Sequence, residues 1–244
     1  MPLLEVTDVV KTYGGIVAVS NASFTVEDGS ITALIGPNGA GKTTAFDTIC
    51  GVVEPDIGKV VFDGHDITRL MSHVITKHGI GRTFQITREL GDMTVLENMV
   101  VSTVPNSLRA LVGGRMEATE RDRAMSMLEF VGIERLAQEP AKRLSYGQRK
   151  LLEFAGVLMT EPRLVLLDEP AGGVNPALLE RIMERIEEVN RRGVSFLIVE
   201  HNMDVVMRLS HSVIVMAHGE VILQDTPKAV QADQRVLDAY LGDV

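Results

Sequence analysis

Tryptophan is absent, cysteine occurs once, and aromatic residues make up only 4% of the 244 residues. A single thiol closes no disulfide framework and builds no metal-thiolate site. Stability must come from a hydrophobic core, which a chain of this length can bury as one large domain or as a domain with a sizeable insertion. Cys50 falls on the apolar side of an expected helix, where a small buried hydrophobe is its role. Long apolar runs are missing too, since none approaches the roughly 20 residues that span a bilayer. The start, Met1-Pro2-Leu3-Leu4-Glu5, has neither the basic region nor the apolar core of a signal peptide. A soluble, cytoplasmic chain is expected. Basic residues are outnumbered, 24 Lys and Arg against 33 Asp and Glu, for a net charge of -9. That balance argues against a protein that grips the phosphate backbone of nucleic acid. Repeats, low-complexity tracts and long linkers are also lacking.

What is present centres on Gly36-Pro37-Asn38-Gly39-Ala40-Gly41-Lys42-Thr43-Thr44. This stretch fits the phosphate-binding pattern G-x-x-x-x-G-K-[ST] between an apolar run and a helix-like run. Ser30–Ile35 predicts a buried strand and Lys42–Cys50 a helix, so the glycines fall where the backbone must turn sharply and approach an anion closely. Backbone N–H groups would surround the phosphates of a nucleotide. Lys42 supplies a point charge to the outer phosphates, and the Thr43 hydroxyl is placed to ligate Mg²⁺. A plain Gly-rich turn has no need of the Lys-Thr pair.

Around this stretch the chain reads in order. Leu3–Val26 is strand-like and broken at Gly14-Gly15, with Asp28-Gly29 as a turn. Tyr13 there either stacks on a purine ring or is a half-buried strand tyrosine. Val60–Gly64 alternates and turns, and Gly79–Gln85 reads as a strand ending in a polar residue. From about Ile86 to Ala141 helical patterns replace the β-branched runs, notably Val95–Val101 and Glu117–Val131. This insertion is either a partner-binding or regulatory lobe or a passive structural cap. Leu144-Ser145-Tyr146-Gly147-Gln148 then opens the helix pattern Leu151–Met159, with Ser145 as an N-cap or as part of an anion site. Arg163–Asp168 predicts a buried parallel strand ending in the adjacent carboxylates Asp168 and Glu169. Beside a phosphate loop, the first can hold Mg²⁺ through water and the second can orient or deprotonate an attacking water. Successive strand residues point opposite ways, so their roles should differ. The helix Pro176–Arg192 leads to a buried strand, Val194–Glu200, ending at His201, which either faces the crevice at the strand ends or caps a helix. His65, His73, His78, His211 and His218 show no metal-ligand spacing. His211–Ala217 and Glu220–Gln224 pair across His218-Gly219, and two short helical runs, Pro227–Ala232 and Arg235–Leu241, end the chain.

In this order the motifs resemble those of the ATP-binding subunits of ABC transporters, from Leu3 to Leu241. Tyr13 matches the adenine-stacking aromatic, Gly36–Thr44 the Walker A loop, Gln85 the Q-loop and Leu144–Gln148 the signature motif. Leu164–Asp168 matches Walker B, Glu169 the catalytic glutamate and His201 the switch histidine. Two departures from the common pattern, Tyr146 for a glycine in the signature and Asn175 for an aspartate after Walker B, are similar to the subgroup serving branched-chain amino acid importers. Met93–Asn98 and Ala239–Gly242 are similar to that subgroup too.

The resemblance implies an α/β fold of the P-loop NTPase type: a RecA-like core, an N-terminal antiparallel β-subdomain and a helical subdomain. It places the core with the β-subdomain at about 1–85 and 160–244, and the helical subdomain at about 86–159. It implies ATP and Mg²⁺. Nucleotide contacts would come from Tyr13, Gly36, Asn38, Gly39, Gly41, Lys42, Thr43, Thr44, Gln85, Ser145, Gly147 and Gln148. Thr43, Gln85 and Asp168 would serve the metal, and Glu169, His201 and Lys42 hydrolysis. The implied partners are a second ATPase subunit facing the first head to tail, two membrane permeases and, indirectly, an extracytoplasmic solute-binding protein, at the cytoplasmic face of the membrane. No residue here selects the solute. A urea or amide importer, a lipopolysaccharide exporter and a soluble ATPase of this type are the other readings.

Overall fold

The computed structural model describes residues 2–83, 90–102 and 118–241. Two sheets organise them. The alternating N-terminal segments form strands β1 (Pro2–Tyr13) and β2 (Ile16–Glu27), joined as a hairpin across Gly14-Gly15. With β4 (Ile57–Phe62) and β5 (His65–Asp66) they make an antiparallel sheet in the order β2-β1-β4-β5. The second sheet is built from β3 (Ile31–Ile35), β6 (Ile80–Arg82), β7 (Leu164–Asp168), β8 (Ser195–Val199), β9 (Ser212–Ala217) and β10 (Glu220–Asp225). Its order is β10-β9-β3-β8-β7-β6, with only β10 antiparallel to its neighbour.

Every residue of β3, β7 and β8 is buried, which is why these strands read as unbroken apolar runs. Alternation sends their side chains to two cores. Leu164, Leu166, Leu197 and Val199 pack with Phe46 and Ile49 of α1 (Lys42–Ile49) and with the antiparallel sheet. Val165, Leu167, Phe196 and Ile198 pack instead against helices. Those helices are α3 (Val95–Val101), α4 (Ala118–Val131), α5 (Tyr146–Leu158) and α6 (Pro176–Arg191). The inserted helices thus share one apolar core with the sheet. A third cluster joins Ile35, Val213 and Val215 to Val230 and Val236, seating α8 (Pro227–Ala232) and α9 (Gln234–Leu241) on the β9 side. Among the described residues no helix is long and apolar enough to cross a membrane.

The strand carrying Asp168 and the strand of the phosphate loop are not neighbours in the sheet, because β8 runs between them. All three are equally apolar, so the pattern carried no information on their order. The register nevertheless brings their ends level: Leu34 and Asp168 both pair with Val199, from opposite sides. The carboxyl ends of β3, β8 and β7 therefore form one edge, the place where sheets of this kind hold ligands.

Candidate functional site

The phosphate loop leaves β3 and enters α1 along a path that only small residues allow. Gly36 has φ 150, and a β-carbon there would lie 2.0 Å from the Met216 carbonyl oxygen. Gly41 has φ 95, and its β-carbon would meet the Ala18 carbonyl oxygen at 2.3 Å. The loop is wedged between β2 and the β9–β10 hairpin, whose Gly219 N–H donates to Ala40 O at 3.2 Å while its carbonyl accepts from Ser20 N–H at 2.8 Å. Helix α1 has neither a side-chain N-cap bond nor an acidic residue in its first turn. Its leading N–H groups and partial positive charge are left for an anion.

Lys42 is buried, and its Nζ donates to Gly36 O at 2.7 Å and Pro37 O at 2.8 Å. Burial lowers its pKa, while Glu169 and Asp168 work the other way. Asn38, Gly39 and Thr43 are exposed on the same loop and helix start, so the cradle is open to solvent. Thr44 is half-buried, and its carbonyl accepts the Thr48 hydroxyl.

Asp168 and Glu169 diverge, for a reason other than strand alternation. Asp168 ends β7, whereas Glu169 has φ 47 and has left the strand. Asp168 is buried with its N–H donating to Thr83 Oγ1 at 3.3 Å and a carboxylate oxygen 3.8 Å from Arg82 Nη2. Burial raises its pKa, Arg82 opposes this, and Glu169 reinforces it. A cation beside Asp168 would relieve that cost. Glu169 turns the other way, placing Oε1 3.1 Å from His201 Nε2. His201 follows β8 and is largely exposed.

Other predicted positions lie further out. Tyr13 ends β1 at the open tip of the first hairpin, 47% exposed, with Lys11 Nζ 5.6 Å from its ring centre. Ser145 caps α5 in a reciprocal box: Gln148 N–H donates to Ser145 Oγ at 3.3 Å and Ser145 N–H to Gln148 Oε1 at 2.8 Å. Gly147 is held small by Leu178 of α6, whose Cδ2 would be 2.1 Å from a β-carbon there. None of Ser145, Gly147 and Gln148 bonds to the phosphate loop of its own chain. Gln85 lies outside the described residues. Asn175 caps α6, its Oδ1 accepting Leu178 N–H at 2.9 Å, a task aspartate performs equally well.

Three residues that the motif reading passed over hold this site together. Glu200 is buried, and its carboxylate accepts the N–H groups of Ala171 at 2.7 Å, His201 at 2.9 Å and Asn202 at 3.0 Å. It ties the turn after Glu169 to the turn bearing His201. Arg82 donates to Asp47 of α1 at 2.6 Å and faces Asp168. Lys150 of α5 donates to Glu169 O at 2.6 Å. The available signal was a charged residue at the end of a buried strand, for Glu200 and Arg82, and an i,i+4 pairing with Tyr146 for Lys150.

A family model described as ABC transporter matches residues 19–172, and one described as branched-chain amino acid ATP-binding cassette transporter matches residues 220–244. A probable branched-chain amino acid transport ATP-binding protein of Archaeoglobus fulgidus is 41% identical, over 99% of this chain and 96% of its own length. The crystal structure of a nucleotide-free ATP-binding cassette from an ABC transporter superposes with a TM-score of 0.89 at 34% identity, covering 98% of this chain and 99% of the other. A dimeric cassette in a post-hydrolysis state with ADP and Pi gives 0.80 at 26% identity, over 92% and 98%. The chain belongs to the ABC transporter family and is an ATP-binding, ATP-hydrolysing subunit of it.

Proposed function

We propose that this subunit powers an importer of branched-chain amino acids or closely related small solutes, working as a head-to-tail pair at the cytoplasmic face of the membrane. The match of residues 220–244 to the branched-chain amino acid model supports the substrate class. Each ATP would lie between the Lys42 loop of one chain and the Ser145 helix of the other. The exposed, capped start of α5, where Ser145 and Gln148 make no bond to the phosphate loop among the described residues, supports that arrangement. Its N-terminus presents donors suited to a γ-phosphate.

Hydrolysis needs an in-line water and neutralised charge more than covalent chemistry. Lys42 would exchange its two carbonyl partners for phosphate oxygens. The donor set of Thr43, buried Asp168 and Gln85 is that of a hard cation, and Mg²⁺ there supplies neutralisation of the β- and γ-phosphate charge. Glu169 would orient and polarise the water, and His201 would hold both Glu169 and the γ-phosphate. The observation that carries this reading is the Glu169–His201 contact of 3.1 Å at the shared edge of β7 and β8. Permeases would dock on the apolar groove of about 330 Å³ between Val52, Ile75 and Ile80 on one side and Leu152 and Val157 on the other.

The test uses tagged protein carrying Glu169→Gln. Turnover should fall by at least about 100-fold with ATP affinity kept. From solubilised membranes with ATP present it should co-purify with membrane permeases of an amino acid importer. Turnover at the normal rate would remove Glu169 as the base, and recovery of only ribosomal or chromosomal proteins would overturn the transport reading.

A further inference from the structure

Tyr146 stands where the common signature has glycine, and its ring does not point to solvent alone. It lies over the turn that follows Glu169: a β-carbon on Gly173 would come within 3.0 Å of Tyr146 Cε1. One turn along α5, Lys150 Nζ sits 5.4 Å from the centre of that ring. The same ammonium donates to Glu169 O at 2.6 Å and approaches Pro170 O at 3.4 Å. Residues i and i+4 of one helix thus grip the two ends of the turn 169–173.

That turn requires holding. Glu169 has φ 47, a left-handed conformation that a side chain with a β-carbon adopts only against a cost. Its N–H donates to Val199 O at 3.0 Å, and its carbonyl accepts Gly172 N–H at 3.0 Å besides Lys150. A bond from a charged donor is roughly twice as strong as one between neutral groups. Lys150 is half-buried; burial lowers its pKa, against Glu200, Glu153, Glu169 and Asp168, which favour the charged form. It also lines, with Thr83, Asp168 and Pro170, a cavity of about 30 Å³. Orienting the Glu169 peptide orients its Cα–Cβ bond, and with it the carboxylate that reaches His201.

We propose that Tyr146 and Lys150 form a positioning clamp that sets the angle of Glu169. The helix whose N-terminus serves one nucleotide thereby aims the carboxylate acting on the other. This rests on the reading of Glu169 as the residue that activates water. Neither clamp residue touches a reacting atom. A glycine at 146 would leave Gly173 uncovered and Lys150 without its aromatic neighbour.

The experiment compares Lys150→Met, Lys150→Arg and Tyr146→Gly in the full chain, each with Glu169 and with Glu169→Gln. Single-turnover hydrolysis, KM for ATP and the thermal midpoint are measured. Lys150→Met should lower the rate about 10-fold with KM within about two-fold, Lys150→Arg should recover most of it, and Tyr146→Gly should fall between. In the Glu169→Gln background Lys150→Met should add no further loss, because both changes act on one group. A rate unchanged in Lys150→Met, a loss that Arg does not rescue, or losses that multiply with Glu169→Gln would each overturn the clamp. If Glu169→Gln alone hydrolyses ATP at the normal rate, the base assignment fails and takes the clamp with it. If Glu169→Gln is inactive and Lys150→Met is normal, only the clamp fails.

Discussion

A single β-carbon decides whether the phosphate loop can close. At Gly36 it would lie 2.0 Å from a backbone carbonyl, with φ 150, and neither atom belongs to a side chain that can swing away. Gly39 has φ 79 but nothing within 4 Å. Gly36→Ala should therefore cost about 2–4 kcal/mol of unfolding free energy, and Gly39→Ala only about 1 kcal/mol. Denaturant titration of the two variants checks the contrast. Equal losses would mean that the loop shifts freely past Met216. The Gly36 and Gly41 positions were legible from the motif alone. Arg82, Lys150 and Glu200 were not, because their task is defined by partners distant in sequence: Asp47, the Glu169 carbonyl and the Ala171 amide.

Elements show the same division. The unbroken apolar runs of β3, β7 and β8 and the sustained helical patterns of α4 to α6, 13 to 16 residues long, were readable because they last long enough to register. Helices α2 (Ser72–Lys77) and α7 (Met203–Leu209) span fewer than two full turns and carry no such sustained pattern. Strand order was unreadable for a different reason, the chemical equivalence of the buried strands. Beside the β1–β4 ladder, one carboxylate ties the end of β1 to the residue that precedes β4. Asp56 accepts the Thr12 hydroxyl at 2.6 Å, Thr12 N–H at 2.7 Å and Lys11 Nζ at 2.9 Å. These bonds, the Thr12 hydroxyl first, pull its pKa from 3.8 to about 2. A carboxylate with a depressed folded-state pKa contributes stability that is present above its unfolded pKa and is lost as pH falls through the folded one. Asp56→Asn should thus lower the thermal midpoint at pH 7. The gap to the unmodified protein should narrow between about pH 4 and pH 2. A gap that is constant over this range would show that the charge of Asp56 is irrelevant and only its hydrogen-bond geometry counts.

At the scale of the whole molecule, the proposed nucleotide contacts of one chain fall in two separate places. Lys42, Asp168, Glu169 and His201 belong to the edge where β3, β8 and β7 end, whereas Ser145 starts α5 on the helical side with no bond to the phosphate loop. The capping box satisfies two donors of that helix start, yet the serine remains exposed. If function needs both halves around one ATP, a second copy must supply the missing one. That arrangement makes a prediction no single-chain site can satisfy. Lys42→Ala destroys both sites of a symmetric pair from one side, and Ser145→Arg destroys both from the other, so each variant alone should be nearly inactive. A mixed pair restores one complete site, made of the intact Lys42 loop of the Ser145→Arg chain and the intact signature helix of the Lys42→Ala chain. Mixing equal amounts gives mixed pairs about half the time, each with one working site of two, so the mixture should recover roughly a quarter of the unmodified activity. Steady-state ATP hydrolysis across a titration of one variant into the other measures this directly. A mixture no more active than its components would mean that both half-sites act within one chain, or that one intact site cannot turn over beside a dead one. A control distinguishes these outcomes: unmodified protein titrated with the Lys42→Ala, Ser145→Arg double variant forms pairs with no complete site. Its activity should fall as the square of the unmodified fraction if the sites are shared between chains, and linearly if each chain works alone.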